Sequence, residues 1–165
     1  METKDQTAHW IVAPVHKVLM VRDGTVRTPV EDETLDMPSK AAKLLGQYLF
    51  GLPQEHFCVC YLNTRNRVIG ISTIYIGTVD EVRVHPAEVF RPAIVYNASK
   101  IIIAHNHPSG DPTPSPEDIA MARTLGEVGA MLGIELLDEI VVGDRRTYSL
   151  RENGRYEPPR SNYGG

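Results

Sequence analysis

The chain has 165 residues, of which 42% are hydrophobic and 23% are charged, so we expect one soluble domain with a single core. No apolar run is long enough to span a membrane and the N-terminus has no signal-peptide core, which makes the cytoplasm the expected compartment. A net charge of -4 and a pI near 5.8 provide no general electrostatic footprint for nucleic acid.

The first 37 residues are predicted to form a β-rich extension. Their apolar content and turn residues indicate strands over residues 9–15, 17–21 and 26–30, with Asp23-Gly24 as a turn. An edge strand within residues 10–30 would be able to pair with a second copy of the chain, which leaves a homodimer open.

Helices and strands alternate through the middle of the chain. Ser39 is predicted to cap a first helix, which ends before Gly51. The elements that follow are strands over residues 57–62 and 68–78 and a helix over residues 86–98. Pro92 lies inside that second helix and should kink or divide it.

The predicted strand over residues 57–62 contains two cysteines and follows an acidic residue. Cys58 and Cys60 lie two residues apart, so in a strand they share a face and do not pair; we interpret them as small core residues in a reducing compartment. Glu55 precedes the strand and, taken alone, is a solvated acid at a strand start.

The most informative stretch begins with a buried strand over residues 101–104, which stops at His105. His105-Asn106-His107 is followed by Pro108-Ser109-Gly110-Asp111-Pro112, a loop that continues neither strand nor helix. A helix then starts with Ser115 as N-cap and Pro116 at its first position.

Asp118 opens the apolar stripe of this helix, whose members are spaced by three or four residues: Asp118, Met121, Leu125, Val128 and Leu132. An unpaired carboxylate on a core face costs on the order of several kcal/mol, so it must be paired, neutralised or bound to a metal. Two imidazoles, from His105 and His107, and this carboxylate make a three-ligand zinc site with an open fourth position, which is typical of catalytic zinc.

Two simpler interpretations remain at this point. The histidines are also compatible with hydrogen-bonded loop residues, because a short His-x-His pattern is often found without a metal. Asp118 is also compatible with an acid that interacts only with the dipole at the start of its helix.

The end of the chain is predicted to hold strands over residues 134–142 and 147–150. Residues 153–165 are turn formers without apolar period and are expected to be a flexible tail.

The run His105-Asn106-His107-Pro108-Ser109-Gly110-Asp111, with Ser115 and Asp118 after it, resembles the JAMM metalloprotease motif and is similar to the RadC branch of the JAB/MPN proteins. The resemblance covers about residues 45–152. It implies an α/β fold with a mixed sheet flanked by helices, in the cytidine-deaminase-like JAB/MPN architecture. We place the RadC-like domain at residues 38–152, between the extension and the tail.

The resemblance also implies roles for individual residues. Zn²⁺ would be held by His105, His107 and Asp118, Ser115 would lie beside the bound water, and Glu55 would be the general base. Ser115 could instead cap the helix; we favour the site role. Asn106 points away from the ligands by strand alternation and is assigned structural work, and Asp111 is interpreted as a loop-folding residue rather than a second ligand.

The sequence departs from the family pattern in the predicted strand over residues 134–142. Leu137-Asp138-Glu139 replaces the Leu-Asp-His that is usual in the RadC branch. The change removes no zinc ligand of the JAMM scheme, but a Glu139 near the site would alter local charge and pKa values.

The expected function is metal-assisted hydrolysis of an amide bond in a peptide or protein, by a metallopeptidase or isopeptidase. A non-catalytic MPN interaction module is the first alternative, although such modules usually lack the ligand set. A DNA-repair-associated role is the second, and the acidic balance of the chain does not support it.

Overall fold

The computed structural model describes Gly24 and residues 34–77 and 84–160. The strands predicted in residues 9–30 and the last five residues of the predicted tail lie outside this part. The suggested pairing of two copies along residues 10–30 therefore stays a prediction.

The described residues form three helices and five strands. In chain order these are α1 Pro38–Leu49, β1 Glu55–Leu62, β2 Val68–Gly77, α2 Pro86–Val95, β3 Lys100–Asn106, α3 Pro116–Leu132, β4 Glu135–Val142 and β5 Thr147–Ser149. The strands form one sheet in the order β2-β1-β3-β4-β5. β3 and β4 are parallel and are joined by the crossover helix α3, whereas the other neighbours are antiparallel. The predicted α/β class with a mixed sheet is confirmed.

Helices pack on both faces of the sheet. Successive side chains of a strand point to opposite faces, so each face has apolar side chains to bury. α2 and α3 pack on one face, where the core includes Phe57, Phe90, Ile103 and Leu125. α1 packs on the other face, where Leu45 lies in a second cluster. The central strands β1 and β3 are therefore packed on both of their faces.

The small buried cysteines belong to the α1 face. Cys58 and Cys60 are both free and both buried, as their spacing predicted. Burial raises the pKa of the Cys60 thiol to about 12, so it stays a neutral core group at physiological pH.

Two predicted helix boundaries were wrong. α1 begins at Pro38 with Met37 as its N-cap, so Ser39 lies within the first turn and is not the cap. A proline at the first helical position has the required φ and lacks only an N–H that would have no partner there. α2 runs through Pro92 undivided. It ends at Val95, three residues earlier than predicted, and Asn97, two residues further on, adopts a left-handed φ of 54°.

The buried face of α3 differs from the predicted stripe. Its buried members are Asp118, Ala122, Leu125, Gly126 and Gly129. Leu132, assigned to the core by its spacing, is 47% exposed. A side chain at Gly126 would collide with Tyr156, and one at Gly129 with the carbonyl of Ile134, so small residues allow the close packing.

The predicted tail is anchored to the domain by a buried aromatic residue, Tyr156. Tyr156 is only 3% exposed, and its hydroxyl donates a hydrogen bond of 2.8 Å to the carbonyl of Leu136. The prediction of an unpacked tail is wrong there, because a single aromatic ring can anchor a segment that has no apolar period. The domain boundaries after residues 37 and 152 stay predictions. Across the described ranges, none of the helices has the length and apolar content of a membrane span.

Candidate metal centre

The two histidines project from the end of the central strand β3. This strand continues through Asn106 rather than stopping at His105, because β1 pairs with it as far as His105 and β4 as far as Asn106. His105 and His107 share a face, with their Nε2 atoms 3.0 Å apart. His105 is 1% exposed, whereas His107 is half-buried at the opening of the site.

Asp118 reaches the same point from the first turn of α3. The Ser115 hydroxyl oxygen accepts a hydrogen bond of 3.1 Å from the Asp118 N–H, and Asp118 Oδ2 accepts one of 2.7 Å from the Ser115 N–H. This reciprocal capping box fixes the carboxylate. Its Oδ1 lies 3.6 Å from Nε2 of His105 and its Oδ2 3.6 Å from Nε2 of His107. The cap role of Ser115 is observed, and its site role stays a prediction.

The donor set fits a divalent metal ion. One ligand atom from each of His105, His107 and Asp118 lies within 4.8 Å of the others. Ligands placed tetrahedrally at zinc distances are separated by about 3.3 Å, close to the separations given above. His107 also presents the correct nitrogen, because its Nδ1 donates to the Asp111 carbonyl over 2.7 Å and leaves the Nε2 lone pair for a metal.

Glu55 lies at the same end and on the same face of the sheet. It starts β1, two residues before Phe57, and Phe57 pairs directly with His105. Extending this antiparallel register by two residues would set Glu55 opposite His107, which lies one residue beyond the end of β3. Glu55 is not a member of the three-residue cluster. Its catalytic role stays a prediction.

Asn106 connects the ligand strand to the segment that carries Glu55. It points to the opposite face from the ligands, as strand alternation predicted. Its Oδ1 accepts a hydrogen bond of 2.8 Å from the His56 N–H, and its Nδ2 donates to the carbonyls of Leu52 and Gln54 over 3.3 and 3.0 Å. Two of these bonds hold His56 and Gln54, the residues on either side of Glu55. The structural role of Asn106 is therefore to fix the backbone around Glu55.

Asp111 folds the loop between the ligands, as predicted. Its side chain accepts hydrogen bonds from the N–H and hydroxyl of Thr113 over 3.0 and 2.8 Å. Its carbonyl is the group that orients His107. Asp111 therefore shapes the site through its backbone rather than as a ligand.

The sequence did not show how close Glu139 lies to the site. In β4, its Oε1 is 3.0 Å from Nδ1 of His105, and the side chain is 0% exposed. The signal was the departure from the family's Leu-Asp-His pattern, which indicated a change of charge but not a direct contact.

The ionisable groups of the candidate site shift one another's pKa values. Burial lowers the pKa of His105, but the Asp118 and Glu139 carboxylates outweigh it and raise this pKa to about 10. Asp118 also raises the pKa of His107. Burial raises the pKa of Asp118, but the two histidines outweigh burial and hold it well below the usual range. At neutral pH, His105 therefore carries a proton that a bound metal ion would have to displace.

Metal binding should consequently release protons. Because the pKa of His105 is raised to about 10, a metal must displace its proton at any lower pH, and affinity should rise about tenfold per pH unit for each proton displaced. Acidification should weaken binding correspondingly. Zinc titrations at pH 7 in buffers of different ionisation enthalpy are expected to show at least one proton released per zinc; a value of zero would contradict this account.

These features define a mixed α/β domain with a candidate His/His/Asp metal centre at the end of its central strand. The family model described as RadC-like JAB domain matches residues 35–155, and the chain belongs to this family.

Curated relatives agree with this assignment. The chain is 50% identical over 120 residues to a UPF0758 protein of Shouchella clausii, covering 73% of this chain and 52% of the relative. It is 46% identical over 130 residues to a UPF0758 protein of Caldanaerobacter subterraneus, covering 79% and 56% respectively. The chain thus spans about half the length of the curated relatives it matches.

Proposed function

We propose that this domain is a zinc-dependent hydrolase of JAMM type, a metallopeptidase or isopeptidase that cleaves an amide bond in a peptide or protein substrate. The observation that carries the proposal is the meeting of His105, His107 and Asp118, whose donor atoms lie within 4.8 Å of one another. Two imidazoles and one carboxylate are a ligand set of catalytic zinc sites, and three protein ligands leave a position open for chemistry.

The side chains around this point divide the chemical work. Zinc bound by His105, His107 and Asp118 would supply Lewis acidity and lower the pKa of water in the site towards about 7. Glu55 accepts the proton that water loses as its oxygen bonds to the amide carbon. Glu55 then delivers that proton to the nitrogen as the C–N bond breaks, which balances the hydrolysis.

Ser115 is suited to donate a hydrogen bond to the oxygen of the reacting carbonyl. Its hydroxyl oxygen accepts the cap hydrogen bond from Asp118, which leaves the hydroxyl proton available for donation. A donor aimed at developing negative charge stabilises the transition state. One hydroxyl is thus able to serve the helix cap as an acceptor and the reaction as a donor.

Metal analysis and peptide cleavage together test the proposal. Purified protein is expected to contain about one zinc per chain and to cleave members of a synthetic peptide library, followed by mass spectrometry. Dialysis against a chelator should abolish cleavage and added zinc should restore it. Protein that binds no zinc would overturn the metal assignment.

The assay also separates the enzyme from a non-catalytic interaction module. A zinc-loaded protein that cleaves neither the library nor isopeptide-linked substrates would favour the module. Because the match covers only 52% of the Shouchella clausii relative, the same assay should be repeated on that full-length protein.

A further inference from the structure

Glu139 is the most deeply buried carboxylate beside the candidate metal centre. It is 0% exposed, and its Oε1 lies 3.0 Å from Nδ1 of His105. Within residues 34–77 and 84–160, neither of its oxygens has a well-aligned hydrogen bond, and the same holds for Nδ1 of His105. Burying such a group without a partner is strongly unfavourable, so the contact with His105 needs an explanation.

The position of Glu139 follows from the sheet register. Glu139 in β4 pairs with Ile103 in β3, and His105 lies two residues further along β3 on the same face. The carboxylate is therefore diagonal to the imidazole and approaches its Nδ1 edge. The opposite edge of the ring, Nε2, faces His107 and Asp118.

We propose that Glu139 is a positioning residue of the metal centre, whose carboxylate accepts the Nδ1–H of His105 and so keeps Nε2 available to the metal. This inference rests on the metal site of the proposed function, but not on hydrolysis. His107 has the equivalent arrangement, with its Nδ1 held by the Asp111 carbonyl. Both ligands are thus held from behind, one by a neutral backbone group and the other by a carboxylate.

The choice of a carboxylate has a consequence for affinity. An acidic partner behind a histidine ligand raises its basicity and fixes its ring orientation. A divalent cation would also balance the two buried carboxylates, Asp118 and Glu139, which offsets the cost of burying Glu139. Glu139 should therefore strengthen metal binding rather than only fill space.

Zinc affinity, measured by competition with a chelating dye, tests this role without any substrate. Glu139→Leu removes the acceptor at similar size and is expected to weaken zinc binding about 10- to 100-fold, the usual loss for such partners. Glu139→Gln keeps an acceptor oxygen but removes the charge, so its affinity should lie between those of wild type and Glu139→Leu.

Asp138→Asn is the matched control. Asp138 is the neighbouring buried acid of β4, and its carboxylate accepts hydrogen bonds from the Ser149 hydroxyl and from the backbone N–H groups of Arg151 and Glu139, but it does not contact His105. Its zinc affinity should equal that of wild type even if its thermal stability falls. An equal loss of affinity in Asp138→Asn and Glu139→Leu, or wild-type affinity in Glu139→Leu, would overturn the proposal.

Nitrogen NMR of the wild-type protein provides a readout that does not depend on the variants folding. In the zinc-loaded protein, the His105 ring is expected to carry its proton on Nδ1 and the metal on Nε2. Metal on Nδ1, or an Nδ1 without a proton, would overturn the role of Glu139. Wild-type protein that takes up no zinc would instead refute the metal site itself, so the two failures are distinguishable.

Discussion

Replacement of His107 by alanine is expected to remove stoichiometric zinc from the protein while leaving it folded. His107 is one of the three proposed ligands, so its loss should reduce affinity by more than the roughly 100-fold maximum that is usual for residues behind a ligand. It is half-buried at the opening of the site, whereas His105 is enclosed between Asp118 and Glu139. Removing His107 therefore avoids leaving two unpaired acids in the core, and zinc content by mass spectrometry reports the effect.

The control for this variant is His56→Ala. His56 lies in β1 on the opposite face from the ligands, and its Nδ1 is 2.9 Å from the Gln54 carbonyl. It should retain one zinc per chain. If His107→Ala also retained its full zinc content, with circular dichroism showing a native fold, the assignment of His107 as a ligand would be wrong.

Glu55→Gln should have the largest effect on catalysis and almost none on metal content. Glutamine preserves the size of the side chain but is not able to accept and return a proton, so hydrolysis should fall about 10²- to 10⁴-fold, the usual contribution of a general base. Rates on any peptide of the library that the wild type cleaves, together with zinc content, measure the two properties separately.

Glu117→Gln is the matched control for that experiment. Glu117 is an exposed acid in the first turn of α3, next to Asp118 but outside the cluster of metal donors. Its substitution removes the same charge near the site and should leave the rate nearly unchanged. Equal rates for Glu55→Gln and wild type would move the base to another residue.

The features predicted well from the sequence depend on local rules. The α3 start followed from Ser115 and Pro116, because N-caps and first-turn prolines act within a few residues. The grouping of His105 and His107 followed from strand alternation, and the inward direction of Asp118 from the helix period. Each of these depends on spacing that the chain itself displays.

The features predicted poorly depend on contacts between distant segments. Leu132 has the spacing of a core residue, but the glycine face of α3 lies against the domain instead. Nothing local shows that Tyr156 returns to bond with Leu136, twenty residues earlier. The contact between Glu139 and His105 requires the register of β3 with β4, which a single sequence does not display.

Consecutive positions in β3 serve opposite sides of the domain: His105 faces the metal donors, and Asn106 faces the backbone around Glu55. Loss or gain of one residue upstream in this strand would exchange the two sides, presenting an amide to the candidate metal site and an imidazole to the backbone of Gln54 and His56. A length change of one residue within β3 would therefore disrupt both faces of the domain at once.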